Sequence, residues 1–265
     1  MKTHFFAAIA LSISVSPCLA QAPSCELGTP DSATQLLVVV TPNWNAVSGA
    51  LQRYERSNPH TGWRAVGHPV TVVVGKTGLG WGSGVLATDE QGIRHASDPV
   101  KKEGDGKAPA GIFCLSGTFG YSPQKYPGWK MAYTSLTPSV ECVDDIKSRY
   151  YNRVVDRETV SSDWNSSEQM LRKDELYRWG IEVDHNSDPP VAGAGSCIFM
   201  HIWRGPGQGT VGCTAMPQEQ LETILGWLDP AQVPLLAQMP VAEYKRLEKH
   251  WKLPKLSDEA KRAVH

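Results

Sequence analysis

GSCIFMHIWRGPGQGTVGCTAM, residues 195–216, is the stretch on which the reading of this chain turns. The apolar run Ala192 to His201 has the length and composition of a β-strand, and a loop rich in glycine and proline follows it. Alternation along SCIFMHIW puts Cys197, Phe199 and His201 on one strand face, with Ile198 and Met200 on the other. His201 therefore belongs to an ordered strand end. Twelve residues later Cys213 stands directly after Gly212, where a glycine permits a sharp backbone approach. Pro217 then opens a helix, so the cysteine is expected near a helix N-terminus, whose dipole and free amides lower a thiol pKa. The same amides could stabilise an acyl oxyanion. A soft nucleophile with an imidazole to take its proton is what thiolate chemistry requires. The plainer alternative is a core histidine beside a disulfide cysteine.

Outward from this block, QLLVVVT (35–41) and VTVVV (70–74) are β-branched runs of strand length, the second led in by Pro69 and ended by Gly75. Between them Asn45 to Arg56 predicts a helix, because Val47, Leu51 and Tyr54 recur at helical spacing before Asn58-Pro59. TGLGWGSG (77–84) predicts a loop and lacks the helix that a nucleotide-binding glycine pattern would need. KKEGDGK (101–107) predicts a polar turn and APAGIFCL (108–115) a strand interrupted at Gly111. Residues 120–160 predict short strands and loops, Ser166 to Arg178 a helix, and Pro217 to Trp227 a helix whose Leu221, Ile224 and Leu225 share a face. Pro234 demotes Val233 to Gln238 to an edge strand or loop, and Val241 to Trp251 predicts a last amphipathic helix. The sum is a β-dominated α+β domain with peripheral helices and long loops.

The chain opens MKTHFFAAIALSISVSPCLAQAP, with a basic start, a short apolar run and small residues before Gln21. That pattern predicts a cleavable signal peptide over 1–20 and export of the remainder, with no membrane anchor. An extended leader (21–33), one catalytic domain (34–253) and a C-terminal tail (254–265) follow. A net charge of −1 with no basic block gives no electrostatic footprint for nucleic acid. Past the signal remain Cys25, Cys114, Cys142, Cys197 and Cys213. Four can pair in three ways, leaving one thiol, and the glycine context nominates Cys213 as the spare. Cys142–Cys197 with Cys25–Cys114 is the favoured pairing, because Cys197 shares the face of the site-bearing strand and Cys142 begins a polar segment that could lie against it.

In two blocks the sequence resembles the L,D-transpeptidase (YkuD-like) catalytic domain, a family of cysteine enzymes acting on peptidoglycan stem peptides. GDGKAPAGIF (104–113) is similar to the family's Thr-Pro-x-Gly-x-Phe strand, with Ala108 in the threonine position. HIWRGPGQGTVGC (201–213) resembles its block of histidine, loop and Ser/Thr-x-Gly-Cys. Val211 stands where many members have His, Ala215 where many have Arg, and the intervening loop is shorter than usual. The resemblance spans about 68–238 and implies a mixed-sheet catalytic core. It implies Cys213 as nucleophile, His201 as general base and Gly212 as the glycine before the nucleophile, with Thr210, Arg204, Trp203 and Thr214 as substrate contacts. It further implies a thioester on Cys213, release of a terminal D-Ala, and transfer to an amine or to water, with no cofactor or metal. The amine could belong to a second stem, an envelope lipoprotein or a free D-amino acid, and the location implied is periplasmic or cell-wall associated. The competing expectation is a non-catalytic secreted cell-wall-binding module with a structural Cys213.

Overall fold

A computed structural model describes residues 31–88 and 93–264. The expected signal peptide, most of the leader and Cys25 lie outside the described residues.

The run QLLVVVT forms β1 (Gln35–Thr41), buried throughout because β2 (Ser48–Glu55) pairs with it antiparallel on one edge and β13 (Leu235–Pro240) parallel on the other. β2 overturns the helix expected over 45–56. Helical spacing of three apolar residues is a weak local preference, whereas two partner strands satisfy every backbone group between them. Gly49 confirms the fit: a Cβ there would stand 2.6 Å from the Val40 carbonyl oxygen.

β3 (Arg64–Val73) carries the expected second strand back across Pro69. The proline is tolerated because the register slips there, with Leu51 opposite Val70 but Arg53 opposite Val66. Gln52 Nε2–H groups donate to the Val66 and Gly67 carbonyls at this irregularity. Within the glycine-rich segment expected to be loop, Leu79–Trp81 forms a short strand, β4, parallel to the start of β5 (Ala108–Gly120).

β5 is long enough to serve two neighbours. Its first half pairs with β13 and its second with β10 (Trp179–Val183). From β10 the ladder runs through β11 (Phe199–Ile202), β12 (Thr214–Met216), β3, β2, β1 and β13 back to β5, so the mixed sheet closes on itself like a barrel. β6 (Tyr133–Ser135) adds to the end of β5. β13, expected at an edge or in a loop, is therefore central. Pro234 precedes the strand, so its missing N–H costs the ladder nothing, and its carbonyl accepts from Leu115 N–H.

A second sheet holds β7 (Val140–Val143) between β8 (Val154–Asp156) and β9 (Ser167–Gln169). β9 and the turns after it replace the helix expected over 166–178. There Arg172 pairs with Glu168 and Asp174, Arg178 pairs with Glu175, and Glu175 takes a left-handed backbone (φ 61°) that a helix does not allow. The helices α1 (Gln218–Trp227), α2 (Val241–Leu247) and α3 (Asp258–Arg262) are peripheral, and α1 buries Leu221, Ile224 and Leu225 as its spacing predicts. Among the described residues no helix is long and apolar enough to cross a membrane.

The main core joins the strands of the closed sheet to the buried faces of the helices, and a smaller cluster lies between that sheet and the three-stranded one. That smaller cluster contains Phe119, Val140, Cys142, Tyr177, Cys197, Phe199 and Cys213. The Cys142–Cys197 disulfide links the two sheets through it, with a Cα separation of 5.9 Å. Cys114 is also disulfide-bonded, and Cys25, its expected partner, lies outside the described residues.

Candidate active site

The loop from 201 to 213 returns the chain so that β12 pairs in parallel with β11, setting Met200 opposite Thr214 and His201 opposite Ala215. Only the end of the expected 192–201 strand joins the ladder. Gly193, Gly195 and Cys197 all have positive φ, which bends the chain before β11 begins. Cys213 sits immediately before β12, so the helix that follows Pro217 is separated from it by a strand. The expected helix N-terminus at the thiol is therefore corrected: what surrounds Cys213 is sheet and core.

Thr210 anchors the turn that delivers the cysteine. Its hydroxyl donates to the Cys213 carbonyl (2.6 Å) and accepts from Gly212 N–H (3.1 Å). The same residue exchanges backbone hydrogen bonds with Val74 and Lys76. A Cβ on Gly212 would stand 3.4 Å from the Lys107 carbonyl oxygen and 3.3 Å from Ile198 Cδ1. The 104–113 and 201–213 blocks, far apart in sequence, are thus neighbours at Gly212, next to the cysteine.

Cys213 is the free cysteine among the described residues, and it is only 4% exposed. Its Sγ accepts from Phe199 N–H (3.4 Å) and its S–H donates to the Cys197 carbonyl (3.6 Å). Burial pushes the thiol up to about 12, and the Glu168 carboxylate adds to the rise; the Phe199 amide and the Tyr177 hydroxyl oppose it. The activated thiol expected from a helix dipole is replaced by a desolvated, protonated one.

His201 is likewise buried, and its Nδ1–H donates to the Ile202 carbonyl at 2.7 Å. That bond fixes the tautomer and leaves Nε2 as the free lone pair. Burial holds the imidazole down at about 4; the Ile202 carbonyl works against this, and the nearby Arg172 charge favours it. No hydrogen bond joins the thiol to the imidazole. Tyr177 connects them: its ring packs edge-on against His201 with centroids 5.0 Å apart, while its hydroxyl donates to Glu168 Oε1 (2.7 Å) and lies beside the thiol.

Around this pair stands a charged rim. Arg172 bridges Glu168 (3.2 Å) and Asp174 (2.6 Å) and lies over the Tyr177 ring, and Arg204 reaches Asp174 at 3.5 Å. Arg204 is exposed and free to exchange that weak surface pairing for another anion. Trp203 is half-buried, its N–H bound to the Met216 carbonyl. Thr214 is buried, and its hydroxyl donates to Gln238 Oε1 (2.6 Å); Thr210 is half-buried, with its hydroxyl taken up by its own turn. Glu168, Arg172, Asp174 and Tyr177 were absent from the sequence expectation. A helix over 166–178 has no reason to gather these four; β9 and the turns after it do.

Comparison with family models, with curated proteins and with solved structures finds no match for the chain.

Proposed function

We propose that the protein is a cysteine acyltransferase of the L,D-transpeptidase type, acting on peptidoglycan stem peptides. The observation that carries this reading is the free thiol of Cys213 and, reached through Tyr177, an imidazole whose Nδ1–H is locked on a backbone carbonyl, leaving Nε2 as a base. The two sequence blocks of the resemblance, neighbours at Gly212 next to that thiol, support it further.

In this reading the substrate carbonyl of the third stem residue, a diamino acid, approaches Sγ. Both groups rest neutral, so the S–H proton passes to His201 Nε2 as the carbon–sulfur bond forms. The imidazolium then protonates the leaving D-Ala nitrogen, the carbon–nitrogen bond breaks, and a thioester remains on Cys213. An amine or water attacks the thioester, gives a proton to the imidazole, and the thiol is restored. Ile202's carbonyl orients the ring throughout. Arg204 and Arg172 supply positive charge at the rim for a substrate carboxylate.

A second reading, a wall-binding module with a structural cysteine, draws on the burial of the thiol and its pKa of about 12. Incubation with purified tetrapeptide-containing muropeptides separates the two. The enzyme releases D-Ala and shows an acyl-protein mass lost in Cys213→Ala. Wild-type protein that releases no D-Ala and forms no adduct sinks the proposal and leaves the binding module.

A further inference from the structure

A cavity of about 930 Å³ opens among β5, β10, the β7–β8 region and residues 185–191; neither His201 nor Cys213 lines it. Glu182 and Asp184, two residues apart and so on one side of an extended chain, both line this cavity.

The backbone is built around this pair. The β10–β5 register slips between Ile181 and Val183, so Ser116 and Gly117 both oppose Glu182. Such bulges re-aim side chains. Gly117 gives the carboxylate its room, since a Cβ there would stand 3.3 Å from Glu182 Cδ. Ser116 donates its hydroxyl proton to Asp184 Oδ1 at 2.5 Å. Asp184 is thus partnered, but the Glu182 carboxylate accepts no hydrogen bond and joins no ion pair among the described residues.

Protein crowds the Glu182 carboxyl almost completely, and what exposure the residue keeps is toward the cavity. Among the described residues no fully sealed side-chain polar atom lacks a partner, so this carboxylate is left open to the cavity and not walled in. Burial and the neighbouring Asp184 push Glu182 up to about 7. A carboxylate held this way is costly unless a positive partner arrives. The wall supplies little: Arg153 is its one Lys or Arg, turned toward Asp188 at 3.6 Å, and its charge reaches Asp184 but not Glu182.

We propose that this cavity binds an organic cation carrying a primary ammonium group, such as a lysine-type side chain on a short peptide, held by Glu182 and Asp184. Its three N–H donors suit two adjacent carboxylates, and the volume suits a ligand of peptide size. A bare metal ion fits less well, because no group of three metal-ligating side chains assembles among the described residues.

The test is calorimetry at pH 8 in low salt with N-acetyl-alanyl-lysyl-alanine amide, against the same peptide acetylated on its lysine amine. Saturable binding of the amine is expected, with the acetylated peptide at least tenfold weaker. Glu182→Gln, nearly isosteric, and separately Asp184→Asn should each weaken the amine at least tenfold. Equal binding of the two peptides, no saturable binding to wild type, or undiminished binding to Glu182→Gln overturns the proposal. The peptide comparison needs no variant, so a poorly folding mutant does not blunt it. Binding is read without turnover: a protein inactive on muropeptides that still binds the amine keeps this site, and an active one that fails to bind loses it alone.

Discussion

Iodoacetamide reports directly on the thiolate of Cys213, and the structure sets how slow it should be. An ordinary thiol of pKa about 8.5 is roughly one-quarter ionised at pH 8, whereas a thiol at about 12 is ionised to about one part in 10⁴. Ionisation alone therefore slows alkylation by about 2,000-fold. The rarer thiolate is also the stronger nucleophile; with a Brønsted slope of about 0.4–0.5, a rise of about 3.5 units returns roughly 25- to 50-fold. The net expectation is alkylation about 40- to 100-fold slower than a free cysteine, before any further slowing by its burial. Intact-protein mass spectrometry across a pH series, with urea-unfolded protein as the reference, measures the ratio at each pH. The native rate should still be climbing at pH 10, where the unfolded reference has levelled off. Glu168→Gln should raise the native rate by removing the charge that adds to the thiol's reluctance to ionise. A native rate that plateaus near pH 8.5 or below would refute desolvation as the controlling effect and restore an activated resting thiolate.

His201→Gln keeps polarity but loses the transferable proton, and it should reduce D-Ala release by about 10²–10⁴-fold in a coupled assay; wild-type turnover would reduce His201 to a strand-end residue. Replacing Cys142 and Cys197 together by serine removes a link across a separation of 55 residues, which chain-entropy bookkeeping values at about 4 kcal/mol. Urea unfolding should show that loss as a lower midpoint, and an unchanged midpoint would remove the disulfide from the stability of the site. Glu182 binds its proton more tightly folded than unfolded, so between its ordinary 4.5 and about 7 the native state holds more protons and stability falls as pH rises. Glu182→Gln should abolish that decline, worth up to roughly 3 kcal/mol at pH 8, in thermal melts compared at pH 5 and 8; parallel pH dependence in both proteins counts against it.

Legibility followed how local each signal was. β1 and α1 were readable because composition and spacing inside those segments suffice, whatever their neighbours. The Cys142–Cys197 link matches the favoured pairing, although Cys197 lies before β11 with a left-handed backbone and not on its face. β2 departs from the helix expected there because its identity rests on β1 and β3, and the spacing of Val47, Leu51 and Tyr54 fits a helix equally well in isolation. β13 departs from the edge or loop expected there because Pro234, which would weaken a strand, lies just outside the ladder. The site divides in the same way. His201 and Cys213 carry their chemistry in residue type and spacing. Burial comes first in setting their pKa values, and Glu168, Arg172 and Tyr177 add to it from a segment whose shape depends on the Glu141–Gln169 pairing and on Ile202 N–H bonding the Leu176 carbonyl.

That environment also separates two pH profiles that a resting ion pair would have merged. With the imidazole free of its extra proton above about 4 and the thiol protonated up to about 12, the base and the acid are both in working form across the neutral range. Proton transfer then belongs to the attack itself and requires only that Nε2 be vacant. If the proposed chemistry operates, kcat/KM for a stem tetrapeptide should rise through the acid limb of the coupled pair and stay level from about pH 6 to 9, while alkylation of the same cysteine keeps climbing. Stopped assays of D-Ala release, run beside the alkylation series on one preparation, supply both curves. Turnover that tracks alkylation unit for unit would mean that a preformed thiolate is the reacting species, and that the buried neutral pair is bypassed during catalysis.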